Sequence, residues 1–313
     1  MNNERVIAVV VTYNRKELLL ECINSILKQK YKVEKIIIID NNSTDGTSDY
    51  LTENGYINNQ SIIYKRLNIN TGGAGGFYEG IKIARTYNPD WIWVMDDDVE
   101  AKDDSLEELI NASHKCIDEK ISFLASCVYG KNGKCMNVPT IDRINSENGY
   151  PIWNQYLAHG IVKIREATFV SLLINGHAVK KVGLPCKDYF IWGDDTEYTL
   201  RLNKYFGSSY IVGKSEVIHK REDERVISLK TLDDELRINM YFYMVRNRYI
   251  NTKEYYNKVS LIRFIIKCHV DVLRIMFSKS KHKTIKIKVI LKGLYAGIFR
   301  CYDYKAFKNR LNS

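Results

Sequence analysis

Residues 6–11 are an unbroken apolar run, Val-Ile-Ala-Val-Val-Val, which predicts a strand buried on both faces. Over residues 15–29 the period changes. Leu18, Leu19, Cys22, Ile23, Ile26 and Leu27 recur at helical spacing. The alternation continues with strands at 36–39, 61–66 and 91–95 and helices at 77–86 and 105–116. After the second strand comes Asp40-Asn-Asn-Ser-Thr-Asp-Gly46, where Ser43 or Thr44 can cap the next helix by offering a hydroxyl to its free amides. Strands alternating with helices specify an α/β fold, a mostly parallel sheet with helices on both faces. Ligands of such sheets sit outside the carboxyl ends of the strands. Residues 12–15, 40–45, 70–76 and 96–98 all fall at those ends, so four polar loops are expected to converge on one edge.

Farther along the pattern is less regular. Strands are expected at 122–128 and 167–174, around a polar loop at 129–159 that either moves freely or covers a site. Residues 189–198 open a helix to about 205, and 210–212 and 216–219 read as two short strands. No internal repeat or low-complexity linker appears.

Charge adds a boundary. The 313 residues carry a net +10, yet 253–313 hold 15 Lys and Arg against three acids, leaving the rest at −2. That asymmetry excludes a nucleic-acid-binding domain with basic charge spread across it, and it points to an anionic surface as partner of the tail alone. At 45% hydrophobic and 27% charged the chain can bury a core. The seven cysteines are scattered with no CxxC, which suits a reducing compartment. The start lacks the flanks of a signal peptide, and no stretch approaches the ~20 apolar residues of a membrane span. The expectation is a cytoplasmic protein, at most attached to a membrane face.

Several segments can carry chemistry. Asp96, Asp97 and Asp98 follow an apolar strand; alternate side chains of an extended segment share a face, so Asp96 and Asp98 can grip one divalent ion, although a solvated acidic turn also fits. Gly72-Gly-Ala-Gly-Gly76 lets backbone approach an anionic ligand ahead of a helix, or is simply a flexible turn. Its register does not fit the dinucleotide fingerprint. Trp192-Gly-Asp-Asp-Thr-Glu197 puts acids at a helix start, either for the helix dipole or as a general base. His219 fits a ligand or a structural role, and Arg246 fits an anion contact or a helix surface.

Taken together these segments resemble the family 2 inverting glycosyltransferases with a GT-A (Rossmann-like) fold, over about residues 5–250. The segment running from Val10 to Arg15 is similar to that family's opening strand and loop, and Asp40 to Thr47 to its nucleotide-binding loop. Trp93-Val-Met-Asp-Asp-Asp98 is similar to its metal motif, and Trp192-Gly-Asp-Asp-Thr-Glu197 to its base motif. The glycine-rich segment and the triple Asp look most like galactofuranosyltransferases, then rhamnosyltransferases. The resemblance implies a 1–250 catalytic domain, with a nucleotide-binding half to 120 and an acceptor-binding half to 250; the charge shift near 250 sets off a basic amphipathic helical extension over 251–313. It implies that Thr12, Asn14, Arg15, Asp40, Asn70, Gly72, Gly73, Asp96 and Asp97 bind the sugar nucleotide. Asp96, Asp98 and His219 would hold Mn²⁺ or Mg²⁺. Asp195 would deprotonate the acceptor hydroxyl, with Trp192, Asp194 and Glu197 shaping the acceptor site. At Asn41 the chain departs from the family, where a second Asp is frequent.

The expected reaction is metal-dependent inverting transfer, with UDP-galactofuranose as donor and a lipid-linked or polysaccharide hydroxyl as acceptor in bacterial surface glycan synthesis. The alternative donor is dTDP-rhamnose. A sugar nucleotidyltransferase would show a basic glycine-rich loop after the first strand, and a non-catalytic membrane assembly protein leaves the acidic motifs unexplained. In the tail, Val259, Ile262, Ile266, Val270, Leu273 and Phe277 form an apolar stripe beside a charged one of Arg263, Lys267, Asp271 and Arg274. Apolar area with cations suits an anionic inner leaflet, whereas a packed bundle, within one chain or between copies as a homo-oligomer, also fits.

Overall fold

Six consecutive apolar residues have no face to give to water, and the strand they begin, β1 (Val6–Thr12), is buried throughout. The computed structural model describes residues 4–116, 120–222 and 228–299. After β1 come α1 (Lys16–Leu27), β2 (Lys35–Asp40), α2 (Thr47–Glu53), β3 (Ile62–Arg66), α3 (Gly72–Thr86), β4 (Trp91–Asp96), β5 (Val99–Ala101) and α4 (Ser105–Lys115). The next elements are β6 (Ile121–Tyr129), β7 (Cys135–Met136), β8 (Thr140–Ile141), β9 (Ile161–Glu166), β10 (Leu172–Asn175), α5 (Gly176–Val182), α6 (Asp194–Tyr205) and β11 (Ser208–His219). Three helices follow: α7 (Glu235–Tyr255), α8 (Lys258–Met276) and α9 (Lys283–Phe299).

One sheet orders its strands β3-β2-β1-β4-β10-β6-β11-β9-β8, with β5 beside β11 and β7 beside β6. It is parallel from β3 to β4 and mixed beyond, where β10 runs antiparallel to both β4 and β6. Alternation along β1 sends Val6, Ala8 and Val10 into a core under α1 and α4, and Ile7, Val9 and Val11 into a second under α3 and α5. The sheet is thus covered on both faces, as the alternation of elements predicts. Register does the rest. Thr12 pairs with Asp40 and Val11 with Asp96, so three polar loops leave the sheet at one edge.

The structure corrects several local expectations. Gly46, not Ser43 or Thr44, stands at the N-cap of α2, and the carboxylate of Asp45 accepts the Thr47 amide. The strand expected at 167–174 is confined to β10, and the two expected at 210–219 are one strand, β11, irregular between Val212 and Glu216. The glycine-rich segment is not a turn. Helix α3 starts at Gly72, because its glycines let it lie close on the sheet: a Cβ on Gly76 would come 2.4 Å from Val11 Cγ1, and one on Gly80 2.3 Å from Val9 Cγ1.

The described chain divides into two compact units, Met1–Lys187 with Tyr198–Glu224, and Asp188–Glu197 with Arg225–Ser313. The charge shift near residue 250 falls inside α7. The second unit has its own core, in which Ile238, Val245 and Tyr249 of α7 meet Cys268 and Ile275 of α8 and Val289, Ile290 and Leu294 of α9. Residues 300–313, the end of the basic extension, lie outside the described residues.

Gly80→Ala should test the close approach of α3. Alanine favours a helix by about 1 kcal/mol, yet overpacking costs about 1–3 kcal/mol. We expect net destabilisation in urea unfolding; a more stable variant would show that the helix has room.

Candidate functional site

Three carboxylates in succession repel one another, and the fold separates their tasks by turning the chain. Asp96 ends β4, Asp97 and Asp98 form a tight turn, and β5 begins at Val99. They are therefore not one extended segment, and their sharing of a site comes from elsewhere. Val99 pairs with His219 of β11, which places the imidazole beside the turn. Asp96, Asp98 and His219 each bring one ligand atom within 4.8 Å of the others. Nε2 of His219 lies 3.0 Å from Oδ1 of Asp98, an oxygen that is buried and accepts no well-formed hydrogen bond. Nδ1 of His219 pairs with Oδ1 of Asn137 at 3.0 Å, which in the neutral ring leaves Nε2 as a lone pair facing that oxygen. Two oxygens and one imidazole nitrogen converging on such a point fit a hard or borderline divalent cation such as Mg²⁺ or Mn²⁺.

Asp97 points the other way. It accepts hydrogen bonds from Thr12 Oγ1 (2.7 Å), the Tyr13 amide (3.3 Å) and Arg15 Nη1 (3.1 Å), so it ties the loop after β1 to the turn. Burial pushes the Asp97 carboxyl up to about 6 despite Arg15. Arg15 also reaches Asp98 Oδ2 at 2.8 Å. For Asp98 burial acts upward, but a protonated His219, donating from Nε2, together with Arg15 outweighs it and holds the carboxyl below its usual range.

The expected nucleotide-binding residues are brought together at this edge. Asp40 is buried, accepts the Ser43 amide at 2.7 Å and takes the Tyr64 hydroxyl at 2.5 Å. Asn14, in a left-handed conformation (φ 54°), accepts the Thr44 amide, while its own amide donates to Ser43 Oγ, joining the loops after β1 and β2. Asn70 Oδ1 accepts the Gly72 amide at the start of α3, and Gly73 follows in its first turn. Asn41 gives the departure from the family a reason. Its Nδ2 donates to the Gly72 carbonyl at 2.8 Å and its Oδ1 accepts the Thr71 amide at 2.8 Å. An aspartate has no proton for the first of these bonds.

The residues expected at the acceptor site, Trp192, Asp194 and Glu197, belong to the second unit. Chain 190–193 enters α6 through three positive φ angles, at Phe190 (65°), Trp192 (60°) and Gly193 (90°). Such angles are rare for bulky side chains and must be held from outside. Helix α7 holds them with residues spaced by four. Tyr243 stacks on Phe190 with ring centroids 4.9 Å apart. Asn247, fully buried, donates its amide to the carbonyls of Tyr189 (3.1 Å), Ile191 (3.1 Å) and Trp192 (2.7 Å). Asn251 donates to the Gly193 carbonyl (2.8 Å) and accepts the Tyr189 hydroxyl (2.8 Å). Tyr255 donates to Glu197 Oε1 at 2.7 Å. Arg246 is spent here too, since Nε bonds Asn247 Oδ1 and Nη2 bonds the Asp188 and Tyr189 carbonyls. Asp194 is buried and Asp195 half-buried. Burial, then the neighbouring Asp195, pushes the Asp194 carboxyl well up.

Residues 7–118 match the family model "Glycosyl transferase family 2". This stretch is thus similar to a family 2 glycosyltransferase domain. Over 114 residues the chain is 34% identical to the galactofuranosyltransferase GlfT1 of Mycolicibacterium smegmatis, 36% of each protein. Over 99 residues it is 41% identical to the abequosyltransferase RfbV of Salmonella typhimurium, 30% of this chain and 28% of that one. The aligned part thus spans about a third of these relatives' lengths. Among solved structures, S. aureus TarS 1–349 in complex with UDP-GlcNAc superposes with a TM-score of 0.61 at 14% identity, covering 95% of this chain and 82% of that one. GalNAc-T7 with UDP, GalNAc and Mn²⁺ gives a TM-score of 0.56 at 14% identity, over 85% and 55%. At this identity the likeness shows a shared GT-A-like fold.

The acid pair beyond the matched stretch allows a test on stability alone. The folded pKa of Asp194 lies above its ordinary value, so the native state binds that proton more tightly than the unfolded chain. Stability from this group is present below about pH 4 and falls as pH rises through the folded pKa. Asp194→Asn mimics the protonated form, so it should exceed wild type in denaturant resistance near neutrality and show no gain in acid. Parallel pH–stability curves for the two proteins would contradict the burial of this carboxylate.

Proposed function

We propose that the protein is a metal-dependent inverting glycosyltransferase, moving a sugar from a nucleotide donor to an acceptor hydroxyl. The observation that supports this most is the convergence of Asp96, Asp98 and His219 at the sheet edge where the polar loops of a family 2 domain meet. In this reading Thr12, Asn14, Arg15, Asp40, Asn70, Gly72 and Gly73 form the nucleotide side of the site, and Asp97 holds Thr12 and Arg15 in place. When bound, a divalent cation neutralises charge on the departing diphosphate. Asp195 takes the acceptor proton as the hydroxyl attacks from the face opposite the leaving group, which inverts the anomeric centre. Asp194 is buried with its carboxyl pushed well up, whereas Asp195 is only half-buried, which favours Asp195 for the role of base. Trp192 and Glu197 shape the acceptor side. UDP-galactofuranose is the donor this reading favours, supported by the GlfT1 relative, with dTDP-rhamnose as the alternative. A glycan or lipid-linked acceptor fits either.

A donor panel including both sugar nucleotides, with a synthetic lipid-linked acceptor, tests the assignment by mass spectrometry and release of nucleoside diphosphate. Asp195→Asn should lower transfer by about 10²–10⁴-fold, the usual worth of a general base, with sugar-nucleotide binding retained. Full activity in that variant removes Asp195 from the mechanism. Chelation should stop turnover and Mn²⁺ or Mg²⁺ restore it; turnover that ignores chelation removes the cation.

The basic extension is the proposed attachment to an anionic membrane face. Among the described residues no helix is long and apolar enough to cross a membrane. Helix α8 buries Cys268 and Ile275 but exposes Val259, Ile262, Ile266, Leu273 and Phe277, and Arg263, Lys267 and Arg274 flank that stripe. Each well-placed cation adds about 1 kcal/mol on an anionic leaflet. Removing residues beyond 252 would cut α7 and delete Tyr255, so point changes are the cleaner probe. Ile262→Ser with Ile266→Ser and Phe277→Ser should abolish flotation with phosphatidylglycerol vesicles. Undiminished flotation rules out the stripe, and a dimer dissociated by the same changes assigns it to a second copy.

A further inference from the structure

A turn with three positive φ angles, two of them at aromatic residues, does not hold itself. Such angles at non-glycine residues persist only where the surroundings fix them. Here the fixing comes from one face of α7, in register. Tyr243, Asn247, Asn251 and Tyr255 lie at four-residue steps and meet Phe190, the 189–192 carbonyls, Gly193 and Glu197 in the same order. Gly193 is matched to this arrangement as well. Its φ of 90° suits glycine, and a Cβ there would stand 3.3 Å from Cβ of Asn247 and 3.4 Å from Nδ2 of Asn251. Asn247 is itself oriented, because Arg246 Nε bonds its Oδ1 and so directs both amide protons at the turn. A buried side-chain amide serving three main-chain carbonyls is more than a helix needs for packing. All the groups it serves lie within six residues of Asp195.

We infer that α7 is the positioning element for the reaction, with Asn247, Asn251 and Tyr255 as positioning residues that set the main chain carrying Asp195. This deepens the glycosyltransfer reading and rests on Asp195 being its base. The helical second unit is then a working part of the enzyme, because α8 and α9 pack on the α7 that grips the turn. Gly293 and Gly297 of α9 let that packing be close: Cβ atoms on them would lie 2.8 Å from the Phe242 carbonyl oxygen and 2.9 Å from the Tyr249 ring.

The test compares Asn247→Ala, Asn251→Ala and Tyr255→Phe with wild type. Tyr255→Phe removes one hydroxyl and keeps the ring, so it stays informative if an asparagine variant fails to fold. We expect kcat to fall at least about tenfold for Asn247→Ala, as sub-ångström misplacement of a reacting group does. Tyr255→Phe should show a smaller fall in kcat. The affinity for UDP with Mn²⁺, read by calorimetry, should be unchanged in both. Hydrogen exchange of amides 190–195 should quicken in Asn247→Ala while the strands of the first unit keep wild-type protection. Folded variants with wild-type kcat would overturn the proposal, as would wild-type exchange at 190–195 in Asn247→Ala. A loss of UDP affinity equal to the loss of kcat would also overturn it, since the effect would then be general. If the wild type transfers no sugar from the panel, the functional reading fails on its own, and the exchange comparison still decides whether α7 holds the turn.

Discussion

Two buried carboxylates next to each other at the end of a strand are the constraint around which the first unit is organised. Asp97 and Asp98 cannot both keep their charge in a dry site without partners. The chain supplies Arg15 between them, Thr12 on one side and His219 on the other. These partners come from β1, its following loop and β11, residues far apart in sequence. The sheet exists in a form that brings them together. Central β1 aligns the ends of β2 and β4, and the pairing of β5 with β11 delivers the histidine. The oxygen left without a good hydrogen bond, Oδ1 of Asp98, is where a cation fits the donor set.

The second unit answers a different constraint, backbone strain. A loop in favourable conformations would need no help to start a helix at Asp194. This one takes unfavourable angles, and α7 holds it with hydrogen bonds to carbonyls that strands and helices usually satisfy within themselves. The basic extension therefore does two things at once. One face of its helices builds a core on α7, and the opposite face of α8 remains apolar and exposed with cations alongside. The packed bundle weighed from the sequence is present, and the same helix α8 carries an exposed apolar stripe.

Legibility follows locality. The β–α alternation of the first 115 residues was readable because each element carries its own period, and strand ends could be located to within a residue or so. Start signals were less reliable. The glycines at 72–76 read as a turn because glycine is permissive, whereas their use is to let α3 approach Val9 and Val11, which no local pattern encodes. Ser43 and Thr44 read as caps, yet their loop is bound to Asn14 and Asp40 instead. Asn247, Asn251 and Tyr255 stood at four-residue spacing in plain view, but their partners sit about 58 residues away. Asn137 gave no signal at all, since it lies in an irregular loop 82 residues from the histidine it meets.

What the sequence determined by itself was the class of fold, the edge at which its polar loops gather, the acidic motifs and the separation of basic charge into the last sixty residues. Those follow from side-chain type and short-range period, which a chain carries whether or not it is folded. Tertiary structure decided which carboxylate does what. Asp96 and Asp98 turn toward His219, Asp97 turns back to Arg15, and Asp194 is buried beside a half-exposed Asp195. Identical side chains acquire different proton affinities only through their surroundings, and those surroundings are assembled from distant segments.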